Sequence, residues 1–277
     1  MTSLSTPAIL LRRIDFGDYD LIVTLFTREK GKTSAIAKSA KKSVKRFPGV
    51  LEPFSRLNVV LAQGRRKGMP VLQEASLEDP FFNIREDIIK TAYASYWSEL
   101  IYLWMAEGEP QESLFRLTLH VLAELNRGKT PVEVLSILFQ MRFLSLAGFR
   151  PNFDHCHTCK ICLDQIRHAS VISDPSHGGI ACPTCGIPAN GRLKISKGTL
   201  KQLMWIDTGD LKRAARIRFA PVAIAEGLGF LESFIPFHIG KSPKSLKVLN
   251  AVRHSMGTTR ATAAIDQKPK DQPVKRQ

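Results

Sequence analysis

The chain has 277 residues and no run of about 18 apolar ones, so composition offers no membrane-spanning helix. Its first residues, Met1-Thr-Ser-Leu-Ser-Thr-Pro7, lack both a basic start and an apolar segment, which excludes a secretion signal and sets the expectation of a cytoplasmic protein with no membrane partner. Cysteine is absent outside residues 156–185, and since nothing suggests an oxidising compartment, disulfides are not expected. Acidic residues are scarce: 25 Asp and Glu face 40 Lys and Arg, for a formal charge of +15. The one close carboxylate group, Asp15, Asp18 and Asp20, surrounds Phe16-Gly17-Asp18-Tyr19 and reads as turn chemistry, not as an open metal site. A metal-dependent nuclease therefore finds no acidic cluster here, and no catalytic residue is expected. An acidic membrane surface would require a basic amphipathic helix, which is also missing.

What is present is charge at the two ends. Residues 1–80 carry a net +6, residues 81–240 a net +2 and residues 241–277 a net +7. Such an asymmetry suits a partner that is itself a polyanion, because each neutralised phosphate releases a counterion. From Lys30 to Leu51 there are seven Lys or Arg and no Asp or Glu. The cations of this stretch, Lys38, Lys41, Lys42, Lys45 and Arg46, repel one another until a polyanion neutralises them. Phe47 and Phe54 lie at its end, as aromatics able to stack on bases where exposed. A second basic turn follows at Gly64-Arg65-Arg66-Lys67-Gly68.

Around these loops the composition is that of strands. Ala8 to Ile14, Leu21 to Thr27, Lys32 to Lys38, Leu57 to Ala62 and Val71 to Ala75 are β-branched or alternating runs separated by turns. Five strands in about 75 residues predict a small closed barrel of the OB type, in which oligonucleotides cross strands 2 and 3 between the loops joining strands 1 to 2 and 4 to 5.

After Asp79-Pro80 the period changes to that of a helix. Ile84, Ile88, Ala92, Tyr96, Leu100 and Trp104 predict one long helix, broken by Gly108-Glu-Pro110. A second holds Leu114 to Leu125 and closes at Arg127-Gly128. A third is predicted to start with Thr130 as N-cap, Pro131 at the first position and Glu133 completing a capping box, and to stop near Gly148. Arg142 within it is expected to be solvated or ion-paired. Further on, Ser196 is placed to cap a helix and Pro221 to open another.

The five cysteines form Cys156-His-Thr-Cys159-Lys-Ile-Cys162 and Cys182-Pro-Thr-Cys185. Two C-x-x-C knuckles separated by 22 residues have the spacing of a zinc ribbon, each offering two thiolates on one side of a tight turn. Either Cys156 with Cys159 or Cys159 with Cys162 satisfies the first knuckle. An iron–sulfur cluster would require a fourth cysteine in a different spacing, so zinc is the metal expected. With four thiolates the ion has no open position, so it is structural, and His155, His157, His168 and His177 are read as surface residues of the ribbon. Asp174 to Gly179 reads as the turn between its two short strands.

Several of these stretches together resemble the bacterial recombination mediator family RecO. They are Gly17-Asp-Tyr-Asp-Leu-Ile-Val-Thr-Leu-Phe-Thr-Arg-Glu-Lys-Gly31, Ala37-Lys-Ser-Ala40 and Leu51-Glu-Pro-Phe54 near the start. Phe139-Gln-Met-Arg-Phe-Leu144, Gly148-Phe-Arg-Pro-Asn-Phe-Asp154 and Phe237-His-Ile-Gly-Lys-Ser-Pro-Lys-Ser-Leu246 continue it, over roughly residues 7–250. The approach Gly148 to Asp154 places the first ligand two residues after the Asp, which selects Cys156, Cys159, Cys182 and Cys185 for a structural Zn²⁺ and leaves Cys162 as a spare, semi-buried thiol.

The resemblance implies a nucleoid-associated DNA repair protein, not an enzyme. It would bind single- and double-stranded DNA, anneal complementary strands and help a recombinase onto DNA coated with single-strand-binding protein. The implied protein partners are single-strand-binding protein, RecR and, indirectly, RecA. The DNA contacts expected are Lys38, Lys41, Lys42, Lys45, Arg46, Phe47, Arg65, Arg66 and Lys67. The competing reading is a zinc-ribbon nucleic-acid-binding factor of transcription or translation.

The expected architecture is α+β and multidomain: an OB-fold DNA-binding domain over residues 1–80, a helical domain over 81–150 and 193–252, and a four-cysteine zinc ribbon inserted at 151–192. From about Gly257 apolar periodicity is lost, and residues 253–277 are expected to be a disordered basic tail.

Overall fold

Period-two alternation in the first strand feeds two cores at once. In the computed structural model, which describes residues 3–43, 45–62, 68–186 and 193–266, β1 (Ser3–Phe16) buries Ala8 and Leu10 in the barrel interior. Ile9 and Leu11 point the other way, into the apolar core shared with the helices. With β2 (Asp20–Thr27), β3 (Gly31–Ala37), β4 (Arg56–Ala62) and β5 (Val71–Asp79) it forms a closed barrel in the order β1-β2-β3-β5-β4. Neighbours are antiparallel except β3 and β5, which meet in parallel at Ile36 and Val71 and close the cylinder. This is the OB-type barrel that the strand count predicts, with longer first and last strands.

The barrel is locked to the helices at Gly31. Its φ is +57°, and a Cβ there would stand 1.8 Å from the Glu109 carbonyl oxygen, so only glycine allows the approach. Beside it Ser34 donates from N and Oγ to Glu107 at 3.1 and 2.8 Å. Phe26 meets Phe115 edge-on at 5.3 Å across the same boundary.

The single long helix expected after Pro80 is two helices, α1 (Phe82–Arg85) and α2 (Ile88–Trp104). Asp87 divides them: its carboxylate accepts from the Ile89 and Lys90 N–H groups and so caps α2. Then come α3 (Glu112–Arg127), ended by Gly128 at φ +68°, and α4 (Val132–Leu146). The predicted capping box is not formed; Pro131, at φ −54° and ψ 133°, is itself the N-cap, and no side chain caps α4. Trp97 and Phe139, 5.5 Å apart, are central to the helical core.

The cysteine segment carries a three-stranded sheet in the order β7-β6-β8, from β6 (Ser170–Asp174), β7 (Gly179–Ala181) and β8 (Lys194–Ser196). β8 lies past residue 192, so the sheet takes one strand from the stretch assigned to the helical domain. Ser196 caps α5 (Lys197–Thr208), accepting from Thr199 N–H, and Pro221 opens α7 (Pro221–Ile239) after the short α6 (Leu211–Ala214), as predicted for both.

At 19 residues α7 is long and apolar enough by length and composition to cross a bilayer. It is nonetheless a core helix. Phe230, Phe234 and Ile235 are fully buried, Glu226 accepts from Ser196 and Thr199, and Glu232 pairs with Arg253 at 2.8 Å. That arginine sits on α8 (Lys244–Asp266) and also donates to the Tyr93 hydroxyl on α2 at 3.0 Å. α8 thus continues past residue 252 and past Gly257; alanines at 261, 263 and 264 favour helix without any apolar stripe. Residues 267–277 of the expected tail lie outside the described residues.

Candidate nucleic-acid interface and metal centre

The basic loop between β3 and β4 is pinned at both ends and charged in between. Ala40 at one end and Phe47, Val50 and Leu51 at the other are buried in the barrel core. Ser39, in the left-handed region at φ 54°, donates its N–H to Asp20 at 2.7 Å, and Lys41 N–H donates to the Tyr19 carbonyl at 3.0 Å. Arg46 donates to the Lys38 carbonyl at 2.7 Å, drawing the loop into a closed curve. Lys38, Lys41, Lys42, Lys45 and Arg46 all remain exposed on that curve. Among the described residues only Lys41 of these five has a carboxylate beside it, Asp15 at 3.0 Å, and an exposed pair of this kind is weak enough for a phosphate to replace.

Phe47 is not a stacking platform. At 4 % exposure it is a core anchor that holds the loop down, because an isolated aromatic in a polar segment gains more from burial than from water. Phe54 is buried in the same way. The exposed aromatics beside the loop are instead Phe16 (50 %), the last residue of β1, and Tyr19 (47 %), in the turn before β2, with the Lys42 ammonium 3.4 Å from the Tyr19 ring centroid. The sequence reading absorbed both into a turn; two aromatics bracketing Gly17-Asp18 beside a basic loop were the signal available. Arg65, Arg66 and Lys67 lie outside the described residues.

The thiols of Cys156, Cys159, Cys182 and Cys185 converge within 4.8 Å of one another. Cys159 and Cys182 sulfurs are 3.8 Å apart, and a tetrahedral ion with bonds of about 2.3 Å to sulfur places its ligands about 3.8 Å apart. Burial opposes ionisation of Cys156, yet the N–H groups of Cys182, Cys159 and Thr158 aimed at its sulfur bring it down to about 6. Cys185, hydrogen-bonded to the sulfurs of Cys182 and Cys159, is pushed up to about 12 by them, the crowding that a divalent cation relieves. Both knuckles are tight turns, with Lys160 N–H donating to Cys156 O at 3.0 Å and Gly186 N–H to Cys182 O at 2.7 Å. The four residues fit a metal ion.

Cys162 stands outside this group and is exposed, not half-buried. His157 and His177 stack at 4.1 Å, and both bond to the buried Asp174 carboxylate, at 3.1 and 3.2 Å, bracing the β6–β7 turn. Arg142 is neither solvated nor ion-paired first: it donates to Ile206 O at 2.8 Å and to Gly209 O, satisfying carbonyls at the end of α5.

A closed OB barrel bearing a pinned cationic loop, joined to a helical body that carries a four-cysteine centre of metal-ligand geometry, defines the class of protein. Residues 1–81 match the family described as Recombination protein O N terminal, and residues 85–247 match Recombination protein O C terminal. Two similar proteins are each named DNA repair protein RecO. One, from Desulfatibacillum aliphaticivorans, is 44 % identical over 91 % of this chain and 98 % of its own length. The other, from Desulfosudis oleivorans, is 43 % identical over 92 % and 100 %. A third of the same name, from Syntrophus aciditrophicus, is 34 % identical over 90 % and 95 %. The chain belongs to the RecO family of DNA repair proteins.

Proposed function

We propose that the chain is a recombination mediator acting in the cytoplasm, on the nucleoid, that binds single- and double-stranded DNA, anneals complementary strands and assists loading of the recombinase RecA onto DNA coated with single-strand-binding protein. The observation that carries this reading is the pinned loop, five exposed cations held at one edge of an OB barrel. Phosphates of either strand neutralise Lys38, Lys41, Lys42, Lys45 and Arg46, and released counterions supply most of the affinity. Arg65, Arg66 and Lys67, which follow β4 in the sequence, are the further phosphate contacts of this reading. Bases stack on Tyr19 and Phe16, so contact is tolerant of sequence, as annealing of arbitrary complements requires.

The four cysteines hold Zn²⁺ as a structural ion. Four thiolates complete its tetrahedron and leave no site for a bound water, which supports a role without bond-breaking chemistry.

Single-strand-binding protein has an acidic tail, and a groove of about 1000 Å³ near the start of α4 suits it. In the segment before α7, half-buried Ile217 and Phe219 alternate with exposed Arg216 and Arg218, and Arg127 and Lys129 line the same groove. Apolar side chains of the tail would enter it while its carboxylates meet the guanidinium groups. Family membership supports RecR as the further partner.

The test is an annealing assay with two labelled complementary strands, bare and coated with single-strand-binding protein, in Mg²⁺ buffer. The reading expects faster duplex formation and strands of unchanged length. Cleavage, or no acceleration of annealing, would overturn it.

A further inference from the structure

A second basic surface lies where the barrel meets the helices. A cleft of about 660 Å³ opens between β1, Pro53 and Phe54, α2 and the start of α8, and its cations are Arg12, Arg13, Arg85 and Lys244. Its carboxylate, Glu99, is already engaged, accepting from the Lys244 and Ser245 N–H groups at 3.1 and 2.7 Å and so capping α8.

Arg85 donates to the Pro80 carbonyl at 2.7 Å and to Ser55 Oγ at 3.3 Å, neutral groups that fix the guanidinium and leave its charge uncompensated. Arg12 lies 5.6 Å from the Tyr102 ring centroid, and Lys32 flanks the same ring at 5.1 Å. Lys244 is exposed. Neither Arg12 nor Lys244 has a carboxylate partner among the described residues.

The cleft is continuous with the basic loop. Asp15, two residues along β1 from Arg13 and on the same face of the strand, pairs with Lys41. Arg13 donates to the Leu51 carbonyl at the loop's far end at 2.7 Å and pairs with the part-exposed Glu52 at 2.6 Å, a contact weak enough for a phosphate to replace. At roughly 3.3 Å per strand residue, Arg13 and Asp15 are about 7 Å apart on one face, and Arg12, the next residue back, turns to the other face toward Tyr102, so a strand following this path passes over the edge of β1.

We propose that the phosphate track runs from the loop over Arg13 and Arg12 into this cleft, where Arg12, Arg85 and Lys244 hold the continuation of the same single strand and Tyr102 offers a ring to its bases. The inference rests on the reading of the loop as a polynucleotide site. Continuity of the two basic surfaces favours one long strand over an acidic peptide as the occupant.

The experiment measures the salt dependence of binding of the full chain to labelled oligothymidylates of roughly 6 to 30 nucleotides, a range bracketing the ~4–16 that one OB fold covers. For the wild type, the slope of log affinity against log salt steepens with length beyond the loop's own footprint. In the double variant Arg12→Glu, Lys244→Glu that steepening is lost, about 1.4 in slope for two single-strand phosphates. The charge-conserving Arg12→Lys, Lys244→Arg pair retains it.

A slope that keeps growing with length in the Glu variant overturns the proposal, as does a variant that loses affinity for poly-glutamate while keeping the full length dependence. A wild type that binds no oligothymidylate at any length defeats the underlying reading instead, so the two failures are distinguishable.

Discussion

The basic loop of the barrel and the thiol cluster beside the small sheet both concentrate one sign of charge, in opposite settings. Five cations from Lys38 to Arg46 stand in water on a backbone fixed at its ends. Four sulfurs converge within 4.8 Å, two of the cysteines are buried, and N–H groups point at Cys156. Charge held in water is neutralised by any polyanion and released again when salt competes. Donors held inside protein select one ion by geometry and keep it. Under the proposed function the same electrostatic device serves for exchange in one place and for a permanent brace in the other.

That contrast breaks if the metal proves dispensable. Cys182→Ser should abolish stoichiometric zinc and lower the thermal midpoint of the full chain by far more than any surface change, since structural zinc sites supply about 10–16 kcal/mol at neutral pH. Metal analysis alongside a thermal melt checks it; a variant that melts like the wild type would reduce the cluster to an ornament. Acid should act in the same direction. Ligands must be thiolates, so protons compete with the metal, and zinc affinity should weaken steadily as pH falls, read by metal retention across a pH series.

Phe47→Ala sharpens the loop's side of the comparison. Removing a buried ring costs about 3–5 kcal/mol, to be read by denaturant unfolding. Affinity per folded molecule should hold, whereas a base-stacking Phe47 would give the reverse pattern. Tyr19→Ala is expected to do that reverse: little change in stability, with about 1–3 kcal/mol less binding to single strands in a titration.

The smallest effect concerns His238 on α7, packed against the β6–β7 turn. Burial among Phe149, Phe234 and Phe237 holds its ring below the usual histidine range, opposed in part by a hydrogen bond with the Pro175 backbone. The folded chain thus takes up that proton at lower pH than the unfolded chain. Stability should decline as pH falls below the ordinary histidine value, and His238→Phe should flatten that decline in pH-dependent melts.

Sequence carried much of this where a local pattern had one physical solution. Alternating β-branched runs between glycine turns predicted the barrel, and two knuckles at ribbon spacing predicted a four-thiolate site, with the choice of Cys156 over Cys162 coming from the family resemblance. It misled where tertiary contact decided. Asp87 is as good an N-cap as any, but an apolar period running from Ile84 to Trp104 hid the break it makes. Phe47 looked functional because it sat among lysines, and only the closed barrel showed where its ring goes. Arg142 reaches carbonyls more than sixty positions away, a contact that no window on the sequence contains.

The central claim is that massed, exposed cations of the loop hold the sugar-phosphate chain. Its most direct test is the salt dependence of single-strand binding by the full chain and by the variant Lys41→Glu, Lys42→Glu, Lys45→Glu, Arg46→Glu, followed by fluorescence anisotropy. The account predicts at least ~100-fold weaker binding at low salt and a slope shallower by about 3, four contacts at about 0.7 each. An unchanged slope in a folded variant would contradict it.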